Sequence, residues 1–391
     1  MFPKGFLFST SEAAIKRPGR KDLALIFSQR EAGIAGMFTT NRVKAAPVKL
    51  DMEKIRSGRA QAIVVNSGNA NACTGEKGMQ DAREIVSLVA GGLMIEPSLV
   101  YICSTGAIGV PLPMDRIRPK ISKLMLGLGE STAEDVARAI MTTDTFPKVV
   151  TKKIKIGSRT GTIAGICKGA GMIFPNMATM LCFIMTDIAV KQKTLYKTLQ
   201  AAINNSFNRI TVDGDRSTND TVLVMANGML GNERITEKTE AYHLFSKALN
   251  DTTYELSRMI VKDGEGATKL IEIQIRGARN EGDARKAAFA VANSNLVKTA
   301  MYGNDVNWGR IMAALGNSGI VLREERTDIS FGKVSIVKKG MDTGRKSKAL
   351  EVIKRKEFTV LIDLRIGKAS AKVLTCDLTE DYVRINASYM T

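Results

Sequence analysis

Lys168-Gly-Ala-Gly-Met-Ile-Phe-Pro-Asn-Met-Ala-Thr179 runs directly into Met180-Leu-Cys-Phe-Ile-Met-Thr186. No charged residue occurs from Gly169 to Thr186, a run close to the roughly 20 apolar residues that a membrane helix needs. Its first half, however, holds Gly169, Gly171, Pro175 and Asn176, which break helices and favour turns. The stretch therefore reads as a glycine-rich loop entering a buried strand, predicted over Thr179–Met185.

Working outward, short apolar runs predict further strands at Leu23–Phe27, Ala62–Val65, Val100–Cys103, Gly161–Ile166, Thr221–Met225, Lys269–Ile275, Lys333–Val337, Phe358–Ile366 and Tyr382–Asn386. Helices are expected at Lys77–Val89, Ala133–Met141, Lys191–Asn205, Glu237–Val261 and Ala284–Ala300. Leu195, Leu199, Ala202 and Ile203 share one apolar helix face. The elements come mixed, without a regular βαβ repeat, so the fold class is α+β. Soft boundaries are expected at Arg279-Asn280-Glu281-Gly282 and after Gly319, and the part from Asp328 to Thr391 reads as strand-rich. The basic stretch Lys338–Lys356 reads as the solvated faces of strands.

Composition narrows the chemistry. The 391-residue chain has one histidine, His243, so any imidazole-based triad would have to use it. It stands in Ala-Tyr-His-Leu-Phe and reads as a helix-face residue. The five cysteines form no Cys-x-x-Cys pair and read as buried, reduced thiols. Net charge is +18, but aromatic residues make up only 5% of the chain. With no recognisable nucleic-acid-binding signature, the charge points to surface and steering effects rather than to nucleic acid. Met1–Thr10 has no signal-peptide pattern. The expected setting is the cytoplasm, with no membrane partner.

Neither Gly-x-x-x-x-Gly-Lys-[Ser/Thr] nor a full Gly-x-Gly-x-x-Gly occurs, which disfavours ATP- or NAD-dependent chemistry. The polar strand ends stand out instead. They are Val65–Ala72, Cys103-Ser-Thr-Gly-Ala-Ile-Gly109, Lys168–Thr179, Thr211-Val-Asp-Gly-Asp-Arg-Ser-Thr-Asn-Asp-Thr221 and Asn307-Trp-Gly-Arg310. Taken singly, each has the composition of a turn. Asp213, Asp215 and Asp220 lack the spacing of a calcium loop, so no metal is expected.

Together with Phe38–Val48, Met141-Thr-Thr-Asp-Thr145, Asp263-Gly-Glu-Gly-Ala-Thr-Lys269 and Tyr382-Val-Arg-Ile-Asn-Ala387, these segments closely resemble the ornithine acetyltransferases (glutamate N-acetyltransferases) of arginine biosynthesis. The likeness runs nearly end to end, and Pro175-Asn-Met-Ala-Thr179 is its most specific part. It implies a self-cleaving N-terminal-nucleophile fold cut between Ala178 and Thr179. The α chain would be 1–178 and the β chain 179–391, with 179–280 completing the catalytic domain and 281–391 forming a C-terminal domain. An α₂β₂ heterotetramer is implied, with no cofactor.

The resemblance further implies acetyl transfer from N-acetylornithine to glutamate through an acetyl-threonine. Thr179 would be the nucleophile and its own α-amine the base. Thr105 and Gly106 map to the oxyanion hole. Thr142, Lys168, Thr179, Glu265, Asn386 and Thr391 map to substrate contacts, Lys168 facing a carboxylate and Glu265 an ammonium group. Some members of the family also use acetyl-CoA, and no motif here decides that point. The chain departs from the family pattern at Arg216, where Thr is expected, at Ser388, where Asp is expected, and at Met390, where Arg or Thr is common. A related N-terminal-nucleophile amidase is the alternative within this chemistry.

Overall fold

The computed structural model describes residues 2–174 and 180–388. Ala178, Thr179, Met390 and Thr391 lie outside them. Among the described residues, eight strands build a first sheet: β1 (Phe6–Ser11), β2 (Leu23–Phe38), β3 (Arg59–Asn69), β4 (Val100–Ala107), β5 (Lys148–Ile156), β6 (Arg159–Lys168), β7 (Leu181–Thr186) and β8 (Thr221–Ala226). The strand order is β4-β3-β2-β8-β7-β6-β5, with β1 also paired to β2. The β3–β4 and β7–β8 pairs are parallel; the others are antiparallel.

The unbroken apolar run at Cys182–Met185 has a physical reason. Cys182 and Ile184 pack on one face of the sheet and Phe183 and Met185 on the other. Side chains alternate along a strand, so a strand covered on both faces is apolar at every position. Helices α1 (Ala46–Lys54), α2 (Gly75–Leu93), α3 (Met114–Leu126) and α4 (Ala133–Ala139) follow the early strands, and α5 (Gln192–Asn205) and α6 (Ala241–Lys262) the later ones. Leu195 and Leu199 of α5 and Leu249 and Leu256 of α6 meet the Cys182 face. Val136 and Ala137 of α4 meet the Phe183 face.

The second sheet contains β9 (Leu270–Ala278), β10 (Asp328–Phe331), β11 (Val334–Lys338), β12 (Met341–Asp342), β13 (Glu357–Asp363) and β14 (Ala369–Cys376), in the order β12-β11-β10-β13-β9-β14. Its helices are α7 (Glu281–Ala292), α8 (Asn295–Tyr302), α9 (Trp308–Gly316) and α10 (Lys346–Ile353). The terminal α11 (Glu380–Ser388) turns back toward the first sheet. The chain passes from the first sheet to the second between α6 and β9. Arg279–Gly282 leads into α7, where the Asn280 side chain accepts the Asp283 N–H, a standard N-cap.

Several expected elements are corrected by the structure. Tyr382–Asn386 is helical, because Tyr382 and Ile385, three residues apart, share the half-buried face and Glu380 and Asp381 suit the helix N-terminus. Ala284–Ala300 is two helices, the second capped by Ser294 on the Val297 N–H. Within Lys338–Lys356, α10 buries Ala349 and Ile353, so most of that stretch is not strand. Of the cysteines, Cys73 is exposed while the other four are buried. No helix among the described residues is long and apolar enough to cross a membrane.

Candidate active site

The ends of β3 and β4 approach each other closely. Gly68 and Gly106 are paired in parallel register, and Gly106 has φ +136. A Cβ on Gly106 would lie 2.2 Å from the Gly68 carbonyl carbon and 2.4 Å from the Asn69 nitrogen. Only glycine fits there. Asn219 ties this corner to the start of β8: its amide donates to the carbonyls of Ala70 and Ser104 at 2.7 and 2.8 Å.

Lys168 ends β6 with its side chain buried, and its ammonium lies 3.3 Å from the Thr105 hydroxyl oxygen. An ammonium has no acceptor. The Thr105 oxygen therefore accepts here, and its own proton is directed elsewhere. Beside this contact, Asp144 receives the Thr142 N–H at 3.1 Å, the Gly169 N–H at 2.6 Å and the Lys148 ammonium at 2.7 Å. Burial alone would raise the Asp144 pKa. The charges of Lys168 and Lys148 and the Gly169 N–H outweigh it and hold the carboxyl at about 2.

Across the cleft, the Glu265 N–H donates to the Ala170 carbonyl at 3.0 Å. The Glu265 carboxylate packs on Gly171, where a Cβ would come within 2.3 Å of it. Asn386 of α11 donates to that carboxylate at 2.8 Å. The helix is pinned by Tyr382, whose hydroxyl faces Asp213 at 3.4 Å, and by Thr379 on the Gly266 carbonyl. Burial, with Asp213 and Glu265 nearby, raises the Tyr382 pKa. Asp213 also accepts the N–H groups of Met172 and Ile173, so this aspartate fixes the loop rather than standing open to a cation.

Thr105, Gly106, Thr142, Lys168, Glu265 and Asn386 thus line one cleft, with Ser217, Thr218 and Asn219 on its remaining wall. A neighbouring cavity lined by Lys16, Arg17 and Arg20 shares Thr142 and Thr143 with it, which places positive charge near the mouth. Thr179 and Thr391 lie outside the described residues. The N–H of Met180, the residue after Thr179, donates at 3.1 Å to the buried Asp220, next to Asn219. Burial pushes the Asp220 carboxyl well up, and its second oxygen has no partner among the described residues.

The sequence reading of single residues passed over Asp144, Lys148, Asp263 and Asn219. Asp144, Asn219 and Asp263 stand in motifs quoted above, but nothing in their spacing announces that groups from distant segments converge on them. Arg216 lies 5.6 Å from the Phe174 ring centre, a cation–π contact that gives this unexpected cation a place. The Ser388 hydroxyl donates back to the Arg384 carbonyl. His243 is exposed on α6 and does not line the cleft.

A hydroxyl and glycine main chain at the end of β4 and an ammonium at the end of β6 thus share one cleft of an α+β fold with a carboxylate and an amide. The model of the ArgJ family matches residues 7–391, and the chain belongs to that family, an enzyme family of arginine biosynthesis. The arginine biosynthesis bifunctional protein ArgJ of Geobacter sulfurreducens is 54% identical over 390 residues, covering 99% of each chain. That of Caldanaerobacter subterraneus subsp. tengcongensis is 52% identical over 394 residues, covering 100% of this chain and 98% of its own. The crystal structure of the ArgJ protein from Bacillus halodurans matches with a TM-score of 0.51 at 44% identity, over 53% of this chain and 98% of that one.

Proposed function

We propose that this enzyme moves the acetyl group of N-acetylornithine to glutamate through an acetyl ester on Thr179, after self-cleavage of the Ala178–Thr179 bond, as a cytoplasmic α₂β₂ assembly. In the cleavage, the Thr179 hydroxyl attacks the Ala178 carbonyl, the C–N bond breaks, and water hydrolyses the resulting ester. This frees a threonine α-amine, a group with a pKa of about 7.7–8.0, so a useful fraction is neutral near pH 7. That amine takes the hydroxyl proton as the oxygen attacks the acetyl carbonyl and returns it to the departing ornithine. The α-amine of glutamate then attacks the ester, N-acetylglutamate leaves, and the hydroxyl is restored.

The observation that carries this reading is the convergence in one cleft of Thr105, Gly106, Thr142, Lys168, Glu265 and Asn386, drawn from both sides of the proposed cut. The Thr105 hydroxyl and the Gly106 N–H suit the oxyanion of each tetrahedral intermediate. The carboxylate of Glu265, held by Asn386, suits the ammonium end of ornithine. Lys168 is buried against Thr105 rather than displayed on the surface, which suits a negative charge at the reacting end, on the oxyanion or on a substrate carboxylate. The size relation to the Bacillus halodurans chain, nearly all of it matched to about half of this one, is also what two pieces per precursor would give.

The purified protein is expected to release ornithine from N-acetylornithine only when glutamate is present, with N-acetylglutamate formed in equal amount. Ornithine release at the same rate without glutamate would replace the transferase by an amidase. Acetyl-CoA offered in place of N-acetylornithine tests the second donor in the same assay.

A chain ended at Thr379 tests the role of the last helix. No residue of α11 is buried, so both sheets should persist by circular dichroism. The Glu265 carboxylate loses its Asn386 donor, and a hydrogen bond to a charged group is worth about 1.5–3 kcal/mol. We expect KM for N-acetylornithine to rise roughly tenfold or more. An unchanged KM would remove Asn386 and Thr391 from the substrate site.

A further inference from the structure

We infer that Asp144 is a positioning residue for acyl transfer, holding the Lys168 ammonium against Thr105 and fixing three segments of the cleft in one register. The inference rests on the acyl-transfer reading above and adds to it a group that touches no substrate.

Asp144 reaches three parts of the site at once. One oxygen takes the Thr142 N–H, and the other takes the Gly169 N–H, the residue after Lys168. Through Lys148, Asp144 is joined to Asp263, since Lys148 donates to both carboxylates. Asp263 in turn accepts the Thr145 N–H and hydroxyl, and it stands two residues before Glu265. All three ion-paired side chains are buried, at 0% exposure for Lys148 and Asp144 and 1% for Asp263.

With Lys168 included, the cluster holds two ammonium groups and two carboxylates, so its formal charge is zero. Lys148 is shared between both carboxylates, and burial, which would lower its pKa, is outweighed by them. Asp144 is bonded to Lys148 and to the N–H of Gly169, the residue next to Lys168, and is held low in part by the Lys168 charge. Removing its charge leaves the Lys168 ammonium buried with excess positive charge around it, an arrangement that low-dielectric surroundings penalise. The contact that suffers is the one from Lys168 to the Thr105 oxygen. The Thr105 proton is then no longer directed by that contact.

The test is a double-mutant cycle between Asp144 and Thr105, read as kcat/KM for glutamate-dependent ornithine release. In Asp144→Asn an amide NH₂ faces either the Thr142 N–H or the Gly169 and Lys148 donors, whichever way it turns. Asp144→Asn is expected to lower kcat/KM by ~100-fold in the wild-type background, the scale of one lost oxyanion donor. In the Thr105→Ala background it should cost less than ~3-fold more, because residues acting as one unit are not additive. Multiplying effects, as general structural damage gives, would overturn the inference, and so would an unaltered Asp144→Asn enzyme.

Thr145→Val keeps every charge and removes only the hydroxyl bond to Asp263, so it serves if Asp144→Asn does not fold. A loss of ~5-fold that vanishes beside Thr105→Ala is expected; no loss in wild type, or one that multiplies, overturns the coupling. The wild type measured alongside separates the two readings. No glutamate-dependent transfer there defeats the acyl-transfer reading and this inference together, whereas normal transfer with multiplying effects defeats only the inference.

Discussion

Thr179→Ala is expected to remain one chain and to lose acetyl transfer by ~10⁴-fold or more, the scale on which removal of a covalent nucleophile acts in other hydrolytic sites. Two steps fail for one reason. The N-to-O acyl shift that would cut the Ala178–Thr179 bond needs a hydroxyl at position 179, and so does the acetyl ester. Intact mass should show a single species near 42.4 kDa where the wild type shows two. Thr179→Ser keeps the hydroxyl and should be cut and active. A Thr179→Ala protein found in two pieces, or one that still transfers, would overturn the nucleophile assignment. The absence of a catalytic imidazole is part of the same argument: His243, the only histidine, is exposed and away from the cleft. The proposed base is therefore a main-chain amine that exists only after the cut.

How far the residues alone led depends on the range of the forces involved. The run Cys182–Met185 announced a strand because every side chain on it meets apolar partners on one face or the other. The helix with Leu195 and Leu199 announced itself by its period. Such signals are local. At Tyr382–Asn386 the short Tyr-Val-Arg-Ile pattern fits two periods, and the helix is fixed by its acidic first turn together with contacts to Asp213 and Glu265 that the pattern does not announce. The gathering of Thr105, Lys168, Glu265 and Asn386 was legible through family resemblance alone, since nothing in their spacing brings β4, β6 and α11 together. Asp144 was invisible as a functional residue for a related reason. Its partners are main-chain N–H groups and a lysine, and main-chain donors leave no mark in a sequence.

Gly106→Ala should carry the second large effect, and its origin is steric. At φ +136 an L side chain is strained. The added Cβ would also meet the main chain of Gly68 and Asn69 at 2.2 and 2.4 Å. Main chain cannot swing aside as a flexible side chain can, so β4 must lift from β3 at the point where Thr105 sits. Thr105 would then shift relative to Lys168, now 3.3 Å away, and both proposed oxyanion donors would move together. A single lost donor costs ~10²–10³ in kcat in comparable sites, so a loss of at least ~10³ is expected here. KM should change far less, because Glu265 and Asn386 are on the opposite wall. Backbone strain of about 1–3 kcal/mol should also lower the melting temperature by a few degrees without unfolding the protein. If self-cleavage uses the same donors, the variant should accumulate uncut chain, which intact mass would reveal. A folded Gly106→Ala enzyme with wild-type kcat would show that the close approach of Gly68 and Gly106 shapes the sheet but not the chemistry, and the oxyanion site would have to be sought elsewhere in the cleft.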